Sequence, residues 1–242
     1  MKLLMRAGVL TSLIFMGWSY NQASADTNMT FATKCGALPQ SGNPSSQQIN
    51  CLLTNAALEE DIPPEVIKAV AAQESGWKQF DDNGQPYHSS DGGIGIMQIQ
   101  TAEHPNYDPQ KLENNITYNI EAGVEILSSM YNRTDLPKIN GAERDVIENW
   151  YFPVMAYNGT KPANSPLYQA NGTKNTNAYQ EKVFALLEKD SFLGDTPLGQ
   201  YPFSTKDFSY QTNSGQNITF NKLEYTLTDQ MHASNYFFQK GD

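Results

Sequence analysis

The segment that most constrains this fold runs from Pro63 to Gly76. Two prolines open it, at the first turn of a helix, where backbone N–H groups need no partner within the helix. Ile67, Val70 and Glu74 then recur at a spacing that places them on one helical face. Gly76 follows, in a position suited to ending the helix. The spacing therefore predicts a buried helix whose apolar face carries an acidic side chain in its last turn.

Apolar residues recur at the same helical spacing in four further segments. Helices are predicted to begin near Gln47 and to span residues 114–132, 143–150 and 178–189. Pro153 is expected to break or kink the chain after the helix that starts at residue 143. Tyr179 belongs to the inner face of the last helix, and Asn177 is expected to cap it. Together these segments predict a mainly α fold.

The N-terminus has the features of an export signal. Lys2 and Arg6 give a basic start, and a largely apolar run follows from Ala7 to Trp18. Residues 23–25, Ala-Ser-Ala, match the small-residue pattern at which signal peptidases cut. The run is shorter than the approximately 20 apolar residues that a membrane anchor needs. Residues 1–25 are therefore predicted to be a signal peptide, and the protein to be secreted.

The rest of the chain divides into three regions. Residues 26–48 are rich in Ser, Asn, Gln, Gly and Pro and predict an irregular arm. Residues 49–194 hold the predicted helices, and residues 195–242 form an extension with short alternating runs. These runs are compatible with one or two β-hairpins or with an extension that wraps the domain. Three roles stay open for the extension: capping a groove, binding a protein partner and stabilising the fold.

Charge and cysteine content exclude several classes of function. The chain has a formal charge of −10, and without residues 1–25 the remaining 14 basic and 26 acidic residues give about −12. Such a surface repels nucleic acid and anionic lipid, so neither is an expected partner. Cys35 and Cys51 are predicted to form one disulfide in an exported chain. The two Cys and three His lack a metal-ligand spacing, and neither a metal nor a cofactor is expected.

Two segments carry residue types suited to catalysis or ligand binding. Burial on an apolar face raises the pKa of a glutamate, and such a group can donate a proton near neutral pH. The spacing alone also allows Glu74 to turn to solvent at a fraying helix end. Gly92, Gly93 and Gly95 precede Met97 and Gln98 and would let the backbone approach a ligand closely. This stretch is equally compatible with an ordinary turn.

Taken in order, these segments resemble the signature motifs of the lytic transglycosylase family. The matching segments are Glu74-Ser75, Gly95-Ile96-Met97-Gln98 and Ala156-Tyr157-Asn158, with Asn119-Ile120 and Gly123 between the last two. The resemblance covers about residues 50–190. It implies a lysozyme-like helical fold and a groove for peptidoglycan, the polymer of N-acetylglucosamine (GlcNAc) and N-acetylmuramic acid (MurNAc). It also implies that Glu74 alone serves as acid and base in cleaving the MurNAc–GlcNAc β-1,4 bond.

The resemblance also implies roles for five other residues. Ser89 aligns with a serine that contacts the N-acetyl group, and Met97 and Gln98 would line the groove. Tyr157 would pack near Glu74 and help to hold it, while Asn158 would contact the glycan or orient its neighbours. The sequence departs from the family at Ile96, where Leu is usual, and at Gly93, where Ala is usual. The interval from Glu74 to Gly95 is also longer than expected, so the Ser89 alignment has alternatives.

Two other functions remain open on the sequence. A hydrolase of the goose-type lysozyme kind would need a second carboxylate to activate water, and Asp91 is the best candidate, ahead of Asp81 and Asp82. A non-catalytic wall-binding protein would keep the fold without using Glu74 as an acid. Asp81 and Asp82 also hint at calcium, but the segment lacks the ligand register of a calcium-binding loop.

Overall fold

The computed structural model of the 242-residue chain describes residues 34–189, 197–211 and 215–233. The predicted signal peptide and the first part of the predicted arm lie outside these residues. The α-helices of the described part are α1 Ser46–Glu59, α2 Pro64–Ser75, α3 Pro109–Asn114, α4 Ile116–Tyr131, α5 Tyr151–Tyr157 and α6 Tyr179–Lys189. The strands are β1 Lys138–Ile139, β2 Phe208–Ser209, β3 Thr219–Phe220 and β4 Glu224–Tyr225. Short 3-10 helices span Ile147–Trp150, Pro162–Asn164 and Thr205–Asp207.

Helix α1 begins with a reciprocal cap. The Ser45 hydroxyl accepts from the backbone N–H of Gln48, and the Gln48 side chain accepts from the backbone N–H of Ser45. The predicted disulfide is confirmed, since Cys35 and Cys51 are bonded and no other cysteine exists. The bond ties the segment before α1 to the middle of that helix.

Helix α2 has the character that its spacing predicts. Ile67 and Val70 are fully buried, and α1 and α6 pack against this helix. Gly76 ends the helix with a φ of 63°, in the left-handed region that glycine adopts without strain. Glu74 therefore lies in the last turn, on the side that faces the protein interior. The remaining helices surround one hydrophobic core that also receives the fully buried Trp150.

Two sequence predictions about helices are wrong in detail. A 3-10 helix ends at Trp150, and α5 then continues through Pro153 instead of being broken by it. Pro153 is the third residue of α5, so its missing N–H falls in the first turn, where no partner within the helix is required. The prediction that Asn177 caps α6 is also wrong. The backbone N–H of Tyr179, the first residue of α6, donates instead to the side chain of Asn164, at 3.1 Å.

Residues 197–211 and 215–233 pack against the helical domain. Strands β2 and β3 pair antiparallel, as a hairpin prediction requires, but β4 pairs parallel with β1 of the domain. A ring of aromatic side chains covers Phe152 of α5, with centroid distances between 5.4 and 6.1 Å: Tyr201, Phe203, Phe220 and Tyr225. This part of the extension therefore wraps the domain. Strands β3 and β4 do not pair with each other, so residues 217–227, one of the alternating runs, form no hairpin of their own.

The fold class expected from the sequence is confirmed. The structure is mainly helical, with a few short strands toward the C-terminus, and has a lysozyme-like fold. Within the described ranges, no helix combines the length and the apolar character that crossing a membrane would take.

Candidate active site

Glu74 faces a cavity of about 450 Å³, which we call the Glu74 cavity. Its wall is formed by the loop between α2 and α3, by α4 and by the residues that follow α5. Polar side chains dominate the lining, among them Ser89, Asp91, Gln98, Gln100, Glu103, His104, Tyr157, Asn158 and Lys161. Among the residues predicted as site residues, Glu74, Ser89, Gln98, Tyr157 and Asn158 thus line one cavity.

Two polar side chains fasten the loop that carries Gln98, one to the helix that carries Glu74 and one to α3. Ser75, next to Glu74, donates its hydroxyl to the carbonyl of Ile96 at 2.8 Å. The buried Gln79 accepts the backbone N–H of Ile96 at 3.1 Å and donates to the carbonyl of Leu112 at 2.8 Å. The serine of the Glu-Ser pair is therefore a structural link between two of the motifs.

Asn119 holds the same loop from the other side. Its amide accepts the backbone N–H of Met97 at 2.9 Å and donates to the carbonyl of Ile94 at 2.8 Å. Gly95 lies against this amide: a Cβ atom there would lie 2.3 Å from Asn119 Nδ2, and φ is 69°. Only glycine fits both the backbone conformation and the close approach.

The Gln98 side chain lines the cavity and is held by its own loop. Its Nε2 donates to the carbonyl of Gly95 at 2.7 Å, while its Oε1 is buried and has no hydrogen-bond partner among the described residues. A Cβ atom on Gly93 would lie 2.6 Å from that oxygen and 2.8 Å from Ser89 Oγ. The glycine that replaces the usual alanine therefore leaves room for the Gln98 and Ser89 side chains.

Met97 does not line the cavity, contrary to the prediction from the resemblance. The residue is fully buried, and its side chain packs against Gly123 of α4. A Cβ atom on Gly123 would lie 2.6 Å from Met97 Cγ, so the missing side chain on α4 makes room for the methionine. The link to the site is the Met97 carbonyl, which accepts the Tyr157 hydroxyl at 2.7 Å.

The tyrosine that bonds to Glu74 is Tyr179 of α6, which was not among the predicted site residues. Its hydroxyl donates to Glu74 Oε1, whereas Tyr157 stands nearby and bonds to Met97 instead. Burial and the negative charge of Glu74 raise the pKa of Tyr179 well above its ordinary value. The phenol therefore keeps its proton and acts as a fixed donor to the carboxyl.

Glu74 has a pKa suited to proton transfer near neutrality. Burial disfavours the carboxylate and raises the pKa from 4.5 to about 7, although the Tyr179 hydrogen bond opposes this shift. The charge of Asp91 raises the pKa further, and the charge of Lys161 lowers it. Glu74 is thus protonated in a substantial fraction of molecules at pH 7 and can give or take a proton there.

Asp91 lines the same cavity, but its pKa is lowered, whereas that of Glu74 is raised. Its carboxylate accepts from the Ser89 hydroxyl and, at 3.2 Å, from Gln100 Nε2. The Ser89 hydrogen bond is the main cause that lowers the pKa of Asp91. Asp91 is consequently ionised at neutral pH and fixes the Ser89 side chain, whose oxygen also accepts the N–H of Gly93 at 2.9 Å.

Comparison with family models identifies the domain that holds this cavity. Residues 52–180, more than half of the chain, match the model described as the transglycosylase SLT domain. The chain belongs to this family. Comparison with curated proteins and with solved structures gave no match.

The extent of the SLT domain match agrees with the geometry of the site. The matched residues include Glu74 and the loop from Ser89 to Gln98 and extend just past Tyr179. They end before the extension, whose described part begins at residue 197. The SLT family implies a lytic transglycosylase, a lyase that acts on peptidoglycan outside the cytoplasm. Among the described residues, no group of His, Cys, Asp and Glu side chains is arranged to hold a metal ion.

Proposed function

We propose that this protein cleaves the MurNAc–GlcNAc β-1,4 bond of peptidoglycan with Glu74 as its single acid/base, and that it releases 1,6-anhydro-MurNAc ends. The observation that carries the proposal is the Glu74 carboxyl, whose pKa is about 7 and which opens onto a polar cavity. The Tyr179 hydroxyl donates a hydrogen bond to Oε1 of Glu74. The second oxygen, Oε2, accepts no hydrogen bond from the described residues and is the atom that exchanges the proton.

The reaction divides into two proton transfers at that oxygen. Protonated Glu74 gives its proton to the bridging oxygen as the bond to MurNAc C1 breaks, and the N-acetyl oxygen of the substrate stabilises the positive charge at C1. The Glu74 carboxylate then takes the proton from the C6 hydroxyl as O6 bonds to C1. Glu74 ends protonated, and no water is consumed. This belongs to the substrate-assisted mechanisms that need one carboxyl group only.

The polar lining offers partners for the sugar. Gln98 lines the cavity, and its side chain is fixed there by the hydrogen bond that Nε2 donates to the carbonyl of Gly95. Ser89 and Asn158 line the same cavity, in keeping with the roles proposed for them from the family resemblance. The acidic surface gives no general attraction to an anionic wall, so the affinity must come from this shaped site.

Hydrolysis is the second candidate, and the position of Asp91 favours it. Asp91 lines the cavity, is ionised at neutral pH and acts electrostatically on Glu74. A carboxylate of this kind activates water in inverting glycosidases. Against this role, both oxygens of Asp91 already accept hydrogen bonds, from Ser89 and Gln100. We therefore assign Asp91 to holding Ser89.

Product analysis in ¹⁸O-labelled water separates the candidates. Purified peptidoglycan is digested, and the released muropeptides are analysed by mass spectrometry. The proposed reaction gives unlabelled anhydro ends that are lighter than reducing ends by one water molecule, whereas hydrolysis gives labelled reducing ends. Exclusive formation of labelled reducing ends would overturn the single-carboxyl mechanism.

Three variants assign the roles. Glu74→Gln should lower the rate by about 10²- to 10⁴-fold, the usual contribution of general acid–base catalysis. Glu103→Gln, at another carboxyl that lines the cavity, is the matched control and should keep the rate. Asp91→Asn should keep anhydro products. If wild type and Glu74→Gln release equal amounts of product, Glu74 is not the acid; if neither releases product, the protein is a wall-binding protein rather than this enzyme.

Export is part of the proposal. Peptidoglycan lies outside the cytoplasm, and residues 1–25 have the composition of a signal peptide. We propose that this segment is removed near Ala25 and that the mature protein acts in the cell wall or periplasm. N-terminal sequencing of the exported protein tests the cleavage site.

A further inference from the structure

Asn164 lies between the two segments that hold opposite ends of the site. It is the last residue of the 3-10 helix Pro162–Asn164, and only 4% of its surface is exposed. The segment before it contains Asn158, which lines the Glu74 cavity, and α6 after it begins with Tyr179.

The Asn164 side chain makes three hydrogen bonds, all of them to these two segments. Nδ2 donates to Asn158 Oδ1 at 3.1 Å and to the carbonyl of Gly159 at 2.7 Å. Oδ1 accepts the backbone N–H of Tyr179 at 3.1 Å. The backbone carbonyl of Asn164 also accepts from the side chain of Gln180 at 2.8 Å. One buried amide therefore sets where Asn158 lies and where α6 begins.

The connection continues to the acid. Tyr179, whose N–H is bonded to Asn164, donates its hydroxyl to Glu74 Oε1. A displacement at the start of α6 moves this hydroxyl relative to the carboxyl. Because hydrogen-bond energy falls steeply with poor alignment, a small displacement suffices to weaken the bond.

We propose that Asn164 is a positioning residue for the reaction: it holds the Tyr179 hydroxyl on Glu74 and the Asn158 side chain at the cavity. The inference rests on the proposed function for its kinetic consequences, but the ionisation of Glu74 can be measured without any activity. Asn164 itself touches no reacting atom and is not a catalytic residue.

The groups that face Glu74 determine what loss of Asn164 should do. They are the hydroxyl of Tyr179, the charges of Asp91 and Lys161, and the Tyr157 phenol. The Tyr179 bond lowers the pKa of Glu74, and Tyr179 is the one of these residues that is hydrogen-bonded to the Asn164 side chain. Loosening that bond should therefore raise the Glu74 pKa.

A matched control exists in the same loop. Asn175 is as buried as Asn164, and its amide donates to the carbonyls of Ala163 and Ser165 at 3.0 and 2.9 Å. It also accepts the N–H of Asn177 at 3.2 Å and makes no hydrogen bond to Asn158 or Tyr179 among the described residues. Asn175→Ala thus removes the same kind of buried amide without removing a hydrogen bond that joins Asn164 to Asn158 or to Tyr179.

The test compares Asn164→Ala and Asn175→Ala with the wild type. Carbon NMR of ¹³C-labelled glutamate, with the Glu74 signal assigned from Glu74→Gln, gives the Glu74 pKa directly. Asn164→Ala should raise this pKa by about one unit and lower kcat by about 10- to 100-fold. Asn175→Ala should lose stability with an unchanged pKa. A double variant with Tyr179→Phe should shift the pKa no further than Tyr179→Phe alone.

A Glu74 pKa in Asn164→Ala equal to that of the wild type would overturn the proposal. If Asn164→Ala does not fold, Asn164→Ser replaces it, since its shorter side chain withdraws the acceptor from the Tyr179 N–H but keeps a polar group in the buried site, and the same comparison applies. If the wild type releases no anhydro product but the pKa shifts as expected, the proposed function fails while the positioning role of Asn164 stands.

Discussion

The Tyr179 hydroxyl donates a hydrogen bond to the Glu74 carboxyl across 105 residues of sequence. The bond joins α6 to the last turn of α2, which pack against each other in the core. Its energetic effect opposes that of burial, because the hydrogen bond favours the carboxylate and burial favours the neutral acid. The balance leaves the pKa of Glu74 at about 7, where both halves of an acid–base cycle are accessible.

Removal of the Tyr179 hydroxyl should shift that balance. Tyr179→Phe deletes a hydrogen bond to a charged group, which typically contributes about 1.5–3 kcal/mol. We expect the Glu74 pKa to rise by one unit or more and the alkaline limb of kcat to move to higher pH. The plateau of kcat should fall, because the carboxylate that takes the C6 proton is no longer stabilised. Measurement of kcat from pH 4 to 10 checks both effects.

Tyr168→Phe controls for the loss of a phenol elsewhere. Tyr168 is 40% exposed, and its hydroxyl accepts from Asn177 far from the carboxyl. Its pH profile should match that of the wild type. An alkaline limb that stays in place in Tyr179→Phe would mean that the phenol does not act on Glu74 in solution.

Burial of Glu74 should also appear in the stability of the protein. Its folded-state pKa of about 7 lies above its ordinary value of 4.5. The folded chain therefore binds the proton more tightly than the unfolded chain, so the associated stability is present below pH 4.5 and is lost as the pH rises through 7. Glu74→Gln cannot lose a proton. Between pH 4 and pH 8, the free energy of unfolding of this variant should therefore rise by up to roughly 3 kcal/mol relative to that of wild type.

Urea unfolding at several pH values measures this difference. Glu103→Gln serves as the control for the loss of one carboxyl group, because Glu103 is exposed. Parallel pH dependences in wild type and Glu74→Gln would show that the carboxyl is not desolvated in the folded protein.

Glu74 was predictable because helical spacing and the family resemblance pointed to the same residue. Spacing alone allowed a carboxyl that continues the stripe of Ile67 and Val70 either to lie toward the core or to turn to solvent, whereas the end of the helix at Gly76 is where the sequence predicts it. Tyr179 has the same periodicity signal as any core residue of α6. The sequence could not distinguish it from an ordinary buried tyrosine, since its role depends on the packing of two distant helices.

Met97 and Pro153 show two other limits of sequence reasoning. A motif position near a cavity does not say whether the side chain or the backbone faces it. The Met97 side chain packs into the core because Gly123 has no side chain and leaves space for it. Proline breaks a helix only after the first turn, so the effect of Pro153 depends on where α5 begins. The parallel pairing of β4 with β1 is also set by long-range contacts, which local alternation does not encode.

Loss of the disulfide should cost stability rather than activity. The bond between Cys35 and Cys51 closes a loop with a sequence separation of 16, for which chain entropy predicts about 3 kcal/mol. The double variant Cys35→Ser/Cys51→Ser should unfold at a lower urea concentration and keep its product pattern. The variant is its own control for reductant, because dithiothreitol should destabilise wild type and leave the variant unchanged. Equal midpoints for reduced and oxidised wild type would contradict the expectation.

Glu148 should be the main anchor of the extension. This carboxyl is 1% exposed and accepts the backbone N–H of Gly199 at 2.7 Å and that of Met231 at 2.9 Å. Two separate parts of the extension thus bind to one side chain. The backbone carbonyl of Glu148 also accepts a hydrogen bond from the Tyr201 hydroxyl, at 2.8 Å.

Glu148→Ala would leave two partly buried N–H groups without acceptors, each at a cost of up to about 1–3 kcal/mol. We therefore expect the free energy of unfolding to fall by roughly 2–5 kcal/mol. Glu224→Ala, at an exposed glutamate of the same extension, should change it by less than about 0.5 kcal/mol. Limited proteolysis should cut Glu148→Ala between residues 197 and 233 before it cuts the helical domain. Resistance of this segment to cleavage, with unchanged stability, would show that the aromatic packing on Phe152 holds the extension without the carboxyl.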